Sequence, residues 1–419
     1  MESSVGQVYS DEKTPEFKRN YQVFRFIGGN LISFFGDQIY LIALPLIVLA
    51  LTGSPLSMGI VAALERLPII IQPFTGVLAD RFNRKRILMV CDLGRFVTIG
   101  LLGLLHMMNS LYIWEVYAGA LLVGVLTQVY NTSQFASVPK LVQKKDLQLV
   151  NSINTGIFQT AVFIAPGLGG IIISIFNPGV GLLINSISFF IGFLIVLSLK
   201  IDSPDRNENT RGSKIFADIK EGFVFVLKQK PILYTNIAML FSIFGTTLFL
   251  TMLVIHLKSS VELDTVHIGY LLSIGGVAAV GGALVTNLLK RYFSYRRILF
   301  LSGTIGGISI IVFSFSDTFM WLALMNAVGT ISAAIMSPCI VTIRQTLSPD
   351  HLLGRVQATS RFMTWILMPV AALAAGIIAE QFGTEITILV GGIIATIASF
   401  IYLHPSLKKT NVILNNIEN

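Results

Sequence analysis

Apolar stretches about as long as a bilayer is thick, each some twenty residues, alternate with short polar turns along nearly the whole chain. They run near 24 to 51, 56 to 79, 87 to 107, 111 to 132, 152 to 176 and 179 to 200, and again near 231 to 256, 267 to 289, 297 to 316, 319 to 341, 360 to 381 and 386 to 404. Runs of this length predict membrane-crossing helices rather than strands or buried soluble helices. The expected fold is therefore an all-α membrane protein with twelve transmembrane helices, and the even count puts both chain ends on one side. The pattern divides into a polar tail (1–23), a first six-helix bundle (24–200), a linker (201–230), a second six-helix bundle (231–404) and a second tail (405–419).

Composition agrees. Of the 419 residues 53% are hydrophobic and 12% charged, and the mean hydropathy is +0.75, which excludes both a water-soluble globule and a disordered chain. The first 25 residues have no apolar core or small-residue cleavage site and do not form a signal peptide. Cys91 and Cys339 lie far apart inside apolar runs and are expected to be small buried residues. The five histidines, His106, His256, His267, His351 and His404, are scattered near span ends, which suits solvated or interfacial positions better than metal ligation.

Charge sets the sidedness. Of the 30 basic residues, only Lys258 falls on the side opposite the termini, and Arg66 and Arg95 fall within spans; the rest line the terminal side. Cytoplasmic loops keep Lys and Arg, so both termini are expected in the cytoplasm. The net charge of +8 then faces anionic headgroups and calls for no nucleic acid. Trp114 and Trp321 open the fourth and tenth spans as interfacial anchors.

The two halves resemble each other. Leu31-Ile-Ser33-Phe-Phe35-Gly36-Asp37 in the first span matches Leu240-Phe-Ser242-Ile-Phe244-Gly245-Thr246 in the seventh, and Tyr112-x-Trp114 recurs as Phe319-x-Trp321. Pro369 is a worn counterpart of Pro166. Two parallel six-span halves put a substrate cavity at their interface near the bilayer midplane. In the linker, Ile215, Phe216, Ile219, Phe223, Val226 and Leu227 share one helical face, the pattern of a helix lying on the inner membrane surface.

After the second span comes Gly76-Val-Leu-Ala-Asp80-Arg81-Phe-Asn83-Arg84-Lys85-Arg86. This segment resembles the signature between spans two and three of the major facilitator superfamily, with Asn83 where that family usually has Gly. Asn tolerates a left-handed backbone and is expected to substitute on that ground. The resemblance implies a cytoplasmic latch in which Asp80 pairs with a nearby Arg or faces the N-terminus of the eleventh helix, with Arg81, Arg84, Lys85, Arg86, Asp92 and Arg95 around it. The second half keeps Gly282, Arg296 and Arg297, but has Thr286 in place of the acid. In the fifth span Ala161-x-x-x-Ala165-Pro166-Gly167-Leu-Gly169-Gly170 resembles the antiporter signature of the same superfamily, with Ala for two glycines. The run from Gly36-Asp37 to Pro45, followed by Thr52-Gly53-Ser54, is similar to the bacterial macrolide-efflux branch, which implies a bacterial cytoplasmic membrane. Span four lacks the Arg common in drug:proton antiporters.

Charges inside spans are costly, roughly 2.5 to 3.5 kcal/mol each at mid-depth. Asp37 has no partner at helical spacing; Glu65 and Arg66 are adjacent in span two; Asp92 and Arg95 are one turn apart in span three and can satisfy each other. A carboxyl in a partly apolar cavity takes up or releases a proton as its exposure changes. Asp37 is the expected proton carrier, with Glu65 a second site and Arg66 the competing cation. Phe34, Phe158, Phe244 and Trp365, with Phe35, Tyr40, Phe163, Phe241 and Phe249, are candidates to line the cavity.

The expected activity is proton-driven efflux of a small amphipathic compound by a monomer with no cofactor and no metal. A dedicated exporter of one metabolite or siderophore, an importer, and a membrane receptor that binds without transport are the alternatives. The chain has neither a P-loop nor a His-Glu-x-x-His sequence, so it is read as no enzyme and no ATP-driven pump.

Overall fold

The computed structural model describes residues 21–72, 75, 82–137, 141, 146–199, 215–349 and 352–408, with the backbone alone for 135–136, 147–149, 151–160, 215–218 and 287. Among the described residues there is no strand. The first half contains span one (Tyr21–Thr52), span two (Pro55–Arg66, continuing as a 3-10 turn, Leu67–Ile71), span three (Arg84–Met107), span four (Ile113–Ser137), span five (Leu147–Ile175) and span six (Pro178–Ser198). A linker helix, Ile215–Lys228, precedes span seven (Lys230–Ile255), span eight (Thr265–Tyr292), span nine (Tyr295–Ser314), span ten (Phe319–Leu347), span eleven (Leu353–Trp365 and Met368–Phe382) and span twelve (Thr384–Ser399). Ten of these rods are long and apolar enough to cross a membrane. The other two are the interrupted span two and span five, of which Ala161–Ile175 is an apolar segment among the described residues.

Local chemistry explains the ends and the breaks. Asn177, Asp264 and Ser294 cap the N-termini of spans six, eight and nine by accepting a backbone N–H three residues on. Asn83 does the same for span three, at φ −62°, so it stands in for glycine as a helix cap and not through a left-handed turn. Pro68 has no N–H to return to the preceding turn, and span two tightens into 3-10 geometry there. Span eleven breaks at Ile366–Leu367, just before Pro369. It also starts at Leu353, earlier than hydropathy predicts, because its first turns are helical but carry Arg355, Gln357 and Arg361.

The repeat holds in three dimensions. A Cβ on Gly36 would lie 2.4 Å from Asn185 Oδ1 of span six, and one on Gly245 would lie 2.3 Å from the Gly391 carbonyl of span twelve. The same close packing thus joins the first and last helix of each half. Lys85 Nζ donates to the carbonyls of Leu197 and Leu199, both at 2.7 Å, and so caps span six. Arg296 likewise donates to the Leu403 carbonyl at the end of span twelve. Cations suit helix C-termini, where carbonyls are left over.

Two sequence expectations change. The linker helix turns its apolar face to span eleven: Val226 is fully buried with Ile232, Leu352 and Val356, Phe223 meets Phe362 edge to face, and Glu221 pairs with Arg355. Hydropathy alone cannot tell a lipid surface from a protein one. His256 is neither solvated nor interfacial; at 2% exposure it bonds Thr384 Oγ1 through Nδ1 at 2.9 Å, placed by the π-turn that ends span seven. Cys91 and Cys339 are buried, as expected.

The halves meet at the face opposite the termini. One large apolar cluster there combines Ile42, Ile47, Met58 and Val61 with Leu248, Met252, Ala372 and Ala375. Toward the terminal face the described residues form separate clusters, one around Phe26, Leu88 and Val196 and another around Ala238, Ile298 and Tyr402. Glycines make the junction. A Cβ on Gly59 of span two would fall 2.6 Å from the Gly376 Cα of span eleven, and one on Gly269 of span eight 2.6 Å from the Pro166 carbonyl of span five. Gly59→Leu is expected to prise this face apart. Paired with Leu56→Cys as reporter, it should raise labelling by a membrane-impermeant maleimide several-fold over Leu56→Cys alone, with little background from the two buried native thiols. Equal labelling would show that the glycine contact does not seal this face.

Candidate functional site

Span one carries Asp37 one residue past the Gly36 contact, so the approach of span six fixes where the carboxyl points. Asp37 is half-buried and makes no salt bridge among the described residues. Asn185 of span six, fully buried, directs its amide toward that carboxyl, and its Nδ2 has no other acceptor. The charges whose field reaches Asp37 are Arg95 and Asp92 from span three and Glu65 from span two. Tyr40, one turn along span one, is buried between Asp37 and the Glu65–Arg66 pair.

Glu65 and Arg66 are half-buried at the point where span two breaks. Arg66 Nη1 donates to the Ala62 carbonyl at 3.1 Å. Span four approaches so closely that a Cβ on Gly124 would sit 2.3 Å from the Glu65 carbonyl. The break therefore holds both charges inside the bundle, close to Asp37, with the broken backbone packed against glycine.

Asp92 and Arg95 pair with each other, Oδ1 to Nη2 at 2.5 Å, with side-chain exposures of 0% and 4%. The guanidinium lies between the Tyr130 and Phe189 rings, 4.1 Å from each centroid. Tyr130 in turn donates to Asn30 Oδ1 at 2.6 Å. Such a pair is geometrically fixed, and removing one partner leaves a buried charge uncompensated.

Of the latch residues, Gly76, Asp80 and Arg81 lie outside the described residues. Arg84, Lys85 and Arg86 open span three, where Lys85 caps span six and Arg86 is exposed. In the second half Thr286 turns its hydroxyl to the Gly282 carbonyl at 2.9 Å. The antiporter-like segment sits on the junction itself. A Cβ on Gly169 would be 3.2 Å from Ile39 of span one and one on Gly170 2.7 Å from the Thr265 carbonyl of span eight. The Gly167 N–H, released next to Pro166, donates to Ser273 Oγ of span eight at 2.8 Å, and Ala165 is fully buried.

The aromatic candidates scatter. Phe244 packs on the shared core, Phe34 is half-buried, Trp365 stacks under Arg361 at 4.3 Å, and the Phe158 side chain lies outside the described residues. Sequence reasoning missed Asn185, although a lone amide in an apolar run was a usable signal. It also missed Glu380 of span eleven. That carboxylate accepts from Ser54 Oγ at 2.8 Å and from the Leu56 N–H at 3.1 Å, bridging the halves at the start of span two, where the helix dipole favours an anion. Asp92→Asn is expected to cost about 3 to 5 kcal/mol by stranding Arg95. A thermal unfolding series should show a large fall for Asp92→Asn and partial recovery when Arg95→Met is added; unchanged stability would mean the pair is not structurally required.

Residues 26–368 match the family model described as Major Facilitator Superfamily. The chain is 25% identical over 413 residues to the MFS-type transporter YfiS of Bacillus subtilis, covering 93% of this chain and 94% of that one. It is 24% identical over 365 residues to the multidrug efflux pump Tap of Mycolicibacterium fortuitum, covering 84% and 88%. It is 22% identical over 390 residues to the staphyloferrin A transporter of Staphylococcus aureus, covering 91% and 96%. Among solved structures, a bacterial homologue of the iron transporter ferroportin in its inward-facing state superposes with a TM-score of 0.73 at 16% identity, covering 91% and 98%. With twelve helices in two matching halves, buried charges within spans and a family match spanning most of its length, this chain is a membrane transporter belonging to the major facilitator superfamily.

Proposed function

We propose that the protein exports a small amphipathic compound across a bacterial cytoplasmic membrane in exchange for protons, with both termini in the cytoplasm. The observation that carries this reading is Asp37: a half-buried carboxyl inside the bundle, faced by a buried amide and held by no salt bridge among the described residues. The guanidinium nearest in field, Arg95, is already committed to Asp92. A carboxyl so situated is free to bind a proton in a drier state and release it in a wetter one, and alternating access changes that wetting. A proton falling through 100 mV releases about 2.3 kcal/mol, enough to bias the exchange outward.

Closure opposite the termini and parted cores toward them correspond, with cytoplasmic termini, to a state that loads substrate from inside. Glu65, whose charge acts on Asp37, is the second proton site, and its neighbour Arg66 is the competing cation. The likeness to a multidrug efflux pump supports export of drug-like compounds, and that to a staphyloferrin A transporter supports a dedicated siderophore exporter as the second reading. Competition between chemically unrelated compounds separates the two.

The test is uptake of an amphipathic dye such as ethidium into inverted vesicles, with pH recorded inside. Asp37→Asn should abolish accumulation and the accompanying proton release while leaving counterflow of labelled dye, which a receptor would lack. Asp37→Glu should retain part of both. Wild-type accumulation by Asp37→Asn with an unchanged pH profile would overturn the assignment.

A further inference from the structure

The second half has a cavity where the first half has its carboxyl. Aligned by the internal repeat, Thr246 occupies the position of Asp37, and Thr246 lines a cavity of about 230 Å³ between spans seven, nine and ten. Its wall on span seven is Ser242, Thr246 and Phe249; on span ten it is Thr330 and Ala333. Span nine contributes the backbone of Gly303, Gly306 and Gly307 together with Ser302, Ile310 and Phe313.

The lining contains hydroxyls but presents few polar groups. Thr246 bonds the Ser242 carbonyl, Ser309 the Gly306 carbonyl, Thr330 the Asn326 carbonyl and Ser332 the Val328 carbonyl, each within its own helix. Asn326 Nδ2 is spent on the Leu271 carbonyl at 3.0 Å. Apart from the Ser242 and Ser302 hydroxyls, methyl groups, glycine backbone and the Phe249 and Phe313 rings face the space, and no lining residue is charged. Such a volume favours an apolar guest over water.

Size narrows the guest. A cavity of about 150 Å³ takes a benzene ring, so this one has room for a fused two-ring system or a branched aliphatic group of similar bulk, and excludes a macrocycle. Among the lining residues Leu250 of span seven and Ala333 of span ten are exposed, and they mark the open side of the cavity. Span seven packs on spans one and two of the other half, which turns this side of the molecule toward the space between the halves.

We propose that this cavity is a subsite for one compact apolar group of the transported molecule, whose polar part remains on the Asp37 side. The subsite deepens the exporter reading and rests on it for its biological use, but its occupancy is measurable without transport. The division assigns the halves different tasks: the first handles charge, the second measures apolar bulk.

The experiment uses the full chain in proteoliposomes and 1-azidonaphthalene as a photoreactive probe, with adducts mapped by peptide mass. Adducts on spans seven and ten should saturate and be displaced by excess naphthalene. Ala333→Phe, which fills the open side from an exposed position, should reduce them about tenfold, equivalent to about 1.4 kcal/mol of binding, while adducts at lipid-facing positions stay unchanged. Ala333→Leu gives an intermediate block should the larger ring disturb folding. In the same vesicles, Ala333→Phe should raise the KM for N-phenyl-1-naphthylamine. Adducts that never saturate, or that survive both Ala333→Phe and Ala333→Leu, would overturn the subsite and indicate an acyl-accessible void. Saturable adducts together with absent proton-linked uptake would retain the subsite and refute the exporter reading instead.

Discussion

Backbone touches backbone where the two halves meet, at Gly59 with Gly376 and at Gly269 with Pro166 and Gly170. Lipid tails are as apolar as leucine, so burial offers little reason for helices to associate within a bilayer; close packing of small residues and the dispersion it allows must do so. Gly276 extends them toward mid-helix, where a Cβ would fall 2.6 Å from the Phe163 Cα of span five, but most lie at one face. The shared core forms there, the Ser54–Glu380 bridge is drawn together there, and the opposite ends are left with separate cores. A larger side chain at any of these glycines would have no flexible neighbour to displace, only backbone.

Within that frame the halves keep one architecture and diverge in chemistry. The Gly36 and Gly245 contacts match, as do the helix caps made by Lys85 and Arg296. Yet the first half encloses Asp37, Glu65, Arg66, Asp92 and Arg95, whereas the same site in the second half is hydroxyl and methyl around a void. Repetition fixed the packing, because helix spacing tolerates little change. The residues facing the cavity carry no such obligation, and they have become carboxylate in one copy and threonine in the other.

How much of this was legible depended on range. Twelve spans and the repeat were visible, because length alone marks a membrane helix, and Asp37 stood out as a candidate because a lone acid in an apolar run is costly. The self-satisfied Asp92–Arg95 pair was readable from its one-turn spacing. Asn83 misled because its identity fits both a left-handed turn and a helix cap, and only the backbone angle decides. The linker helix misled because lipid and span eleven look alike to an amphipathic face. Glu380 was invisible, being an ordinary acid near a span end until folding brings Ser54 beside it from 326 positions away. The cavity was the least legible of all, since a void is the joint result of glycines and turned hydroxyls on three separate helices.

The corner between spans one and two admits almost no play. Gly53, at φ +62°, makes the turn, Thr52 bonds back to Val48 and forward to the Ser54 N–H, and Ser54 caps the next helix. Two rods joined so stiffly must travel as one lever. Whatever rearrangement carries the molecule from one orientation to the other therefore has to be absorbed partway along the rods, at the prolines that interrupt spans two and eleven, so that the transporter flexes at its waist while its corners stay rigid.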